Sequence, residues 1–136
     1  MEAVSDFPVY TSGRVWIGRI VSGLPALFLL VDALMKFVKP AAVIEATVQL
    51  GYPESAILPL GLVLLLSTIL YLIPRTSILG AILLTGYLGG AVATHVRVGG
   101  PVFSIVFPVI FGILIWGGLY LRDPRLSVLA PWQQSK

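Results

Sequence analysis

Asp32 and Lys36 stand one helical turn apart inside an apolar stretch, and they are the first residues in the chain that could do chemistry. A charge at the bilayer centre costs about 2.5–3.5 kcal/mol on insertion scales, so an ionisable group there points to function. The alternative is that Asp32 only pairs with a cation and fixes helix packing. His95 and Arg97 close a later apolar stretch. Histidine can exchange a proton near neutral pH, and arginine offers a planar fork of donors to a carboxylate. Tyr87 precedes His95 by eight residues, roughly on the same helical face, and could wall a slot. If Asp32, Lys36, Tyr87, His95 and Arg97 meet, they form a polar cluster in apolar surroundings. Such a pocket would suit a small ligand whose ring oxygens need hydrogen bonds, a quinone head group being the natural case. The plainer alternative for His95 is that it caps the end of its helix, where the macrodipole favours a cation.

Other chemistry is largely excluded. The chain has no cysteine, so a dithiol mechanism within it and a thiolate metal site are ruled out. With one histidine, no protein-built metal site is expected, and a bis-histidine haem would need two chains. No nucleophile motif or phosphate-cradling glycine loop is present. Nine Lys and Arg against six Asp and Glu leave a net charge of +3, too thinly spread for a nucleic-acid surface. Glu2 and Asp6 make the leading region acidic, so no cleavable signal is expected.

The elements that must position these residues are membrane helices. Hydrophobic residues make up 57% of the chain and charged ones 11%, against about 25% charged in soluble domains. A chain of 136 residues cannot hide that much apolar surface in a soluble core, so one transmembrane domain over 1–136 is expected. Four spans are predicted, at about 15–38, 55–73, 76–96 and 101–121, each reaching the roughly 20 residues that cross a bilayer. Backbone groups find no water there, so the spans must be helical. The first carries Arg19, Asp32 and Lys36, but the eight Ile, Val, Leu and Phe residues between Ile20 and Val31 offset one central charge. An even number of spans puts both termini on one side. That side collects Arg14, Arg19, Arg75, Arg122, Arg125 and Lys136, leaving Lys36, Lys39 and Arg97 on the other. The positive-inside rule then predicts cytoplasmic termini in a bacterial inner membrane.

Short links make the fold class all-α: a polytopic four-helix bundle running up-down-up-down. Between spans one and two, Pro40 suits a first helical position and Gly51 a stop, with Glu45 and Gln49 on one face and Val43, Ile44, Val48 and Leu50 largely elsewhere. A short amphipathic helix lying on the bundle is expected there, an ordinary structured loop being the alternative. On the first span, Gly18, Ser22, Pro25, Ala26, Asp32 and Lys36 form a small or polar face that should turn inward. On the third, Gly86, Gly90, Ala93 and Arg97 align, and Gly86–Gly90 has the spacing of a close-packing seam, within the bundle or between copies in a homo-oligomer. Asp32 lies roughly 9 Å below the end of its helix, and Arg97 leans toward that depth, which favours Arg97 over Lys36 as its cation. Trp16, Trp116, Tyr120 and Trp132 are expected in an interfacial aromatic belt.

Beyond these patterns, the chain resembles a known family. The resemblance lies in Gly18-Arg19-Ile20 through Asp32-Ala33-Leu34-Met35-Lys36 and Lys39-Pro40, then Leu50-Gly51-Tyr52-Pro53 and Tyr71-Leu72-Ile73-Pro74-Arg75-Thr76. It continues in Thr85-Gly86-Tyr87-Leu88-Gly89-Gly90-Ala91, in Thr94-His95-Val96-Arg97 and in Leu119-Tyr120-Leu121-Arg122-Asp123-Pro124-Arg125. These segments resemble the DoxX-like family of small bacterial membrane proteins. The resemblance implies a four-helix membrane protein with redox associations, since the wider group includes a subunit of a thiosulfate:quinone oxidoreductase and partners of oxidative-stress enzymes. It implies no catalytic residues. Three functions compete: a quinone-linked or redox-associated membrane subunit with a redox partner protein, a small-solute or proton-coupled transporter, and a non-catalytic scaffold or assembly factor.

Overall fold

The computed structural model describes residues 9–129, and within them the chain is helical throughout. Four long helices are apolar enough to cross a membrane. They are α1 (Ser12–Val38), α3 (Ile57–Leu72, led in by a 3₁₀ turn at Glu54–Ala56), α4 (Ser77–Arg97) and α5 (Val102–Arg122). Two short helices, α2 (Ala41–Gln49) and α6 (Pro124–Leu129), complete the described residues. Helix α1 packs on α3 and α5, and α4 packs on the same two, so α1 and α4 stand on a diagonal. The start of α1 and all of α6 lie at one end of the bundle, called proximal below; α2 and the α4–α5 turn lie at the distal end.

Local chemistry sets the helix limits. Thr11 caps α1, its side chain accepting the backbone N–H of Arg14 at 3.3 Å. Lys39 closes the same helix in the left-handed conformation at φ 56°, its N–H returning to the Met35 carbonyl. Pro40 follows, as is common just beyond such a stop. Pro40 is the N-cap of α2, one place earlier than the first helical position expected from sequence. Gly51 sits past the end of α2 with φ 91°, where a side chain would be strained and would also meet the guanidinium of Arg97.

Packing follows the small-residue logic of membrane helices, where close backbone approach replaces hydrophobic drive. The buried face of α1 is Gly18, Ser22, Pro25, Ala26, Leu29 and Ala33, while Leu24, Leu27, Val31 and Leu34 face outward. The small face expected from sequence is therefore the packed one, extended by Leu29 and Ala33. At the proximal crossing of α1 and α5, a side chain on Gly118 would strike the backbone of Ser22, and one on Gly18 would strike the backbone of Arg122. Gly80 of α4 lies equally tight against the backbone of Tyr71. Tyr71 is fully buried and donates its phenol to the Ile115 carbonyl at 2.7 Å, which ties α3 to its diagonal partner α5. The hydroxyls of Ser67, Thr68, Thr85 and Thr94 are satisfied within their own helices, each bonding the carbonyl four residues back, while Ser77 bonds the Ile73 carbonyl across the α3–α4 turn.

One expectation changes here. Gly86 and Gly90 form no seam within the bundle, because a Cβ on either would meet nothing within 4 Å. The buried face of α4 runs instead through Ser77, Gly80, Ala81, Leu84, Leu88 and Thr94. Trp116 also ties α5 to α4, since it packs on the core and its indole donates to Thr85 Oγ1 at 2.7 Å. Trp132 and Lys136, together with Glu2 and Asp6, lie outside the described residues. At the proximal end, Arg125 grips the Asp123 carboxylate at 2.7 Å and reaches the Pro74 and Arg75 carbonyls, pinning α6 to the α3–α4 turn. Burial alone would raise the Asp123 pKa, but the Arg125 hydrogen bonds outweigh it and hold the carboxyl below its ordinary range.

Candidate functional site

The distal half of the bundle encloses a cavity of about 420 Å³, within the roughly 300–1,000 Å³ of small-molecule sites. It exists because the diagonal helices α1 and α4 do not meet there. Helix α4 presents Gly86, Gly90 and Ala91 to it, residues with too little side chain to fill the space. The glycine spacing that looked like a packing seam in sequence thus forms a cavity wall. Pro108 of α5 also lines it, and a proline inside a helix frees a carbonyl one turn earlier.

Helix α2 roofs the cavity with Val43, Ala46, Thr47 and Leu50, one helical face, while Val48 points away and is half exposed. Two bonds fasten the roof to α4. Arg97 donates to the Leu50 carbonyl, placing a cation at the C-terminus of α2 where the dipole favours it. Tyr52 shares a hydrogen bond of 2.9 Å with Thr94.

Of the five residues singled out in sequence, the structure brings Asp32, Lys36, Tyr87 and His95 to this cavity and leaves Arg97 outside it. The pairing of Asp32 is with Lys36, at 2.9 Å, and not with Arg97. Lys36 reaches its partner because Gly61 of α3 leaves room for its stem, which lies directly over the glycine. Its side chain is 14% exposed, whereas that of Asp32 is 40% exposed and borders the open space.

His95 changes character on inspection. Its Nδ1 lies 2.8 Å from the Ala91 carbonyl, which can only accept, so Nδ1 carries the proton. The neutral ring therefore offers Nε2 as an acceptor, and only imidazolium could donate from that atom. The donor role expected from sequence passes to Tyr87 and Lys36, whose side chains also line the space.

Sequence reasoning missed the aromatic wall. Phe28 of α1 stands edge-on to Phe107 and Phe111 of α5, with centroids 5.5 and 5.0 Å away, and all three line the cavity. The signal was available: Phe103, Phe107 and Phe111 recur every four residues and so share one face of their helix. Tyr52 and Thr94 were missed as well, since a bond across 42 residues leaves no trace in spacing.

The site is a mostly apolar slot lined by three phenylalanine rings and by a fixed ammonium, a phenol, a carboxylate and a ring nitrogen with a free lone pair. It can hold a flat ring by its faces and meet edge oxygens with both donors and acceptors. No curated protein and no solved structure matches the chain. A family does: the match to the DoxX-like family covers residues 20–118, from the first helix through the aromatic wall, and the chain, an integral membrane protein, belongs to that family.

Proposed function

We propose that this protein is a redox-associated membrane subunit that binds a quinone head group in the distal cavity. The observation that carries the reading is that the three phenylalanine rings, Tyr87 and the Asp32–Lys36 pair line one slot. A quinone carbonyl accepts hydrogen bonds, which Tyr87 and Lys36 can supply; a quinol hydroxyl donates them, which Asp32 and His95 Nε2 can accept. One site can therefore hold both redox forms. The electrons come from a partner, consistent with the redox associations that the family resemblance implies. Proton-coupled export is a weaker fit, because a coupling carboxylate must be free to exchange its proton and Asp32 is held by Lys36.

The test is titration of the purified protein with a water-soluble quinone analogue. Tyr87→Phe removes one neutral hydrogen bond, about 0.5–1.5 kcal/mol, and should weaken binding by about 2- to 10-fold. His95→Ala and Asp32→Asn should weaken the quinol form more than the quinone. No binding to the wild type, or binding that none of the three substitutions weakens, would sink the pocket.

The orientation is part of the same proposal. Arg14, Arg19, Arg75, Arg122 and Arg125 gather at the proximal end, so the termini face the cytoplasm and the cavity opens toward the outer leaflet of the inner membrane. Reporter fusions at the C-terminus and in the Gly99–Gly100 turn should report opposite compartments. A periplasmic signal from the C-terminal fusion would reverse the orientation.

A further inference from the structure

The proximal end carries a second cavity of about 400 Å³, unrelated to the quinone slot. Arg19 of α1, Arg75 of the α3–α4 turn, Arg122 of α5 and Arg125 of α6 line it, together with the single carboxylate of Asp123. Asp123 is already claimed, with three contacts to the Arg125 guanidinium at 2.7–3.2 Å. Arg122 is held by neutral partners, Ser22 Oγ at 3.0 Å and the Tyr71 carbonyl at 3.1 Å. Those bonds fix the guanidinium without cancelling its charge. Among the described residues, Arg19, Arg75 and Arg122 form no ion pair. Four cations thus line one concavity against the single carboxylate of Asp123, leaving an excess of positive charge at the level where α1, α3 and α5 leave the apolar layer.

We propose that this cleft binds the phosphate of an anionic phospholipid, its acyl chains running down the outside of the bundle. Arginine suits the role because its fork matches phosphate geometry and its charge does not titrate. A lipid is favoured over a free anion by the rim. Ile20 follows Arg19, Leu72 and Ile73 lead into Pro74, and all three are exposed apolar side chains beside the cationic mouth. Trp16, exposed and stacked under the Arg19 guanidinium at 5.3 Å, marks the same depth as interfacial. Basic pockets between membrane helices on a cytoplasmic face are a recurrent mode of lipid head-group recognition.

The experiment is native mass spectrometry of the detergent-purified full chain with phosphatidylglycerol or phosphatidylcholine of identical acyl chains. The wild type should retain phosphatidylglycerol with a preference of about 20-fold or more. Each basic residue near a membrane surface is worth about fivefold, so Arg75→Gln alone should lower the preference by about that factor and Arg19→Gln with Arg75→Gln should bring it near parity. Both residues are exposed, so folding should survive. Lys39→Gln, at the distal end, should leave the preference intact. Equal retention of the two lipids by the wild type, or an undiminished preference in the Arg75→Gln protein, would overturn the proposal. Inorganic phosphate should compete only weakly; if it binds as well as phosphatidylglycerol while the lipid preference is lost, the cleft is a free-anion site and the lipid assignment fails.

Discussion

Gly118→Ala should lower the unfolding free energy of the detergent-solubilised protein by about 2–3 kcal/mol, while Gly117→Ala should leave it unchanged or raise it by up to about 1 kcal/mol. The two glycines are neighbours on α5 and both substitutions add one methyl group. Gly117 has open space where its Cβ would stand, so alanine there only reduces the backbone entropy lost on folding. At Gly118 the same methyl would meet the backbone nitrogen of Ser22 at 2.7 Å and its Cα at 3.0 Å, inside van der Waals contact. Backbone cannot rotate aside as a flexible side chain can, so α1 and α5 must separate. The contact is reciprocal, because Gly18 of α1 lies equally close to the backbone of Arg122 and the Gly118 carbonyl. Separation would also loosen the 3.0 Å bond from Arg122 to Ser22, so the loss spreads along the crossing. Denaturant titration of the two variants in one detergent decides the matter. Equal effects at the two positions would show that the α1–α5 approach is not what holds this crossing.

That contrast also explains what could be read from sequence and what could not. The four helices were legible because uninterrupted apolar length answers to one constraint, the thickness of the bilayer. The inward face of α1 was legible because small residues at helical spacing leave few other arrangements. The tight crossings were not. With fourteen glycines in the chain, a paired spacing singles out Gly86 and Gly90, whereas the closest approaches to another helix's backbone fall on Gly18, Gly80 and Gly118, each opposed by a partner that the sequence does not mark. Within the bundle the paired spacing lines a cavity instead of closing a seam.

The candidate site shows the same limit. Depth along the helices puts Asp32, Lys36 and His95 near one level, since rise per residue is nearly constant, and all three line the distal cavity. Arg97 went astray because its lean was judged against α1 alone. Helix α2 ends beside it with unpaired carbonyls, and its nearest of these, Leu50, takes the guanidinium. The end of the amphipathic helix expected on the bundle thus decides which cation Asp32 receives.

Asp32→Asn should therefore destabilise the protein by about 1–3 kcal/mol, and the loss should couple to Lys36 and not to Arg97. A fully buried pair would cost about 3–5 kcal/mol on losing one member, because the other is stranded. The lower range applies here because Asp32 is 40% exposed and the cavity can hydrate it. The effect should still be unequal. Removing the carboxylate leaves a lysine only 14% exposed, its stem trapped over Gly61, whereas removing the lysine leaves a carboxylate that faces open space. In a double-mutant cycle, Asp32→Asn with Lys36→Gln should show a coupling of about 1 kcal/mol or more. Asp32→Asn with Arg97→Gln should be additive within about 0.5 kcal/mol, since Arg97 acts on the roof helix through Leu50. The pair also bears on the ligand. An ammonium anchored by Asp32 is held in place for a ring oxygen, so losing the anchor should weaken quinone-analogue binding even where the protein remains folded. Additivity with Lys36 together with coupling to Arg97 would mean that the carboxylate has the other partner, and the polar side of the slot would have to be rebuilt around it.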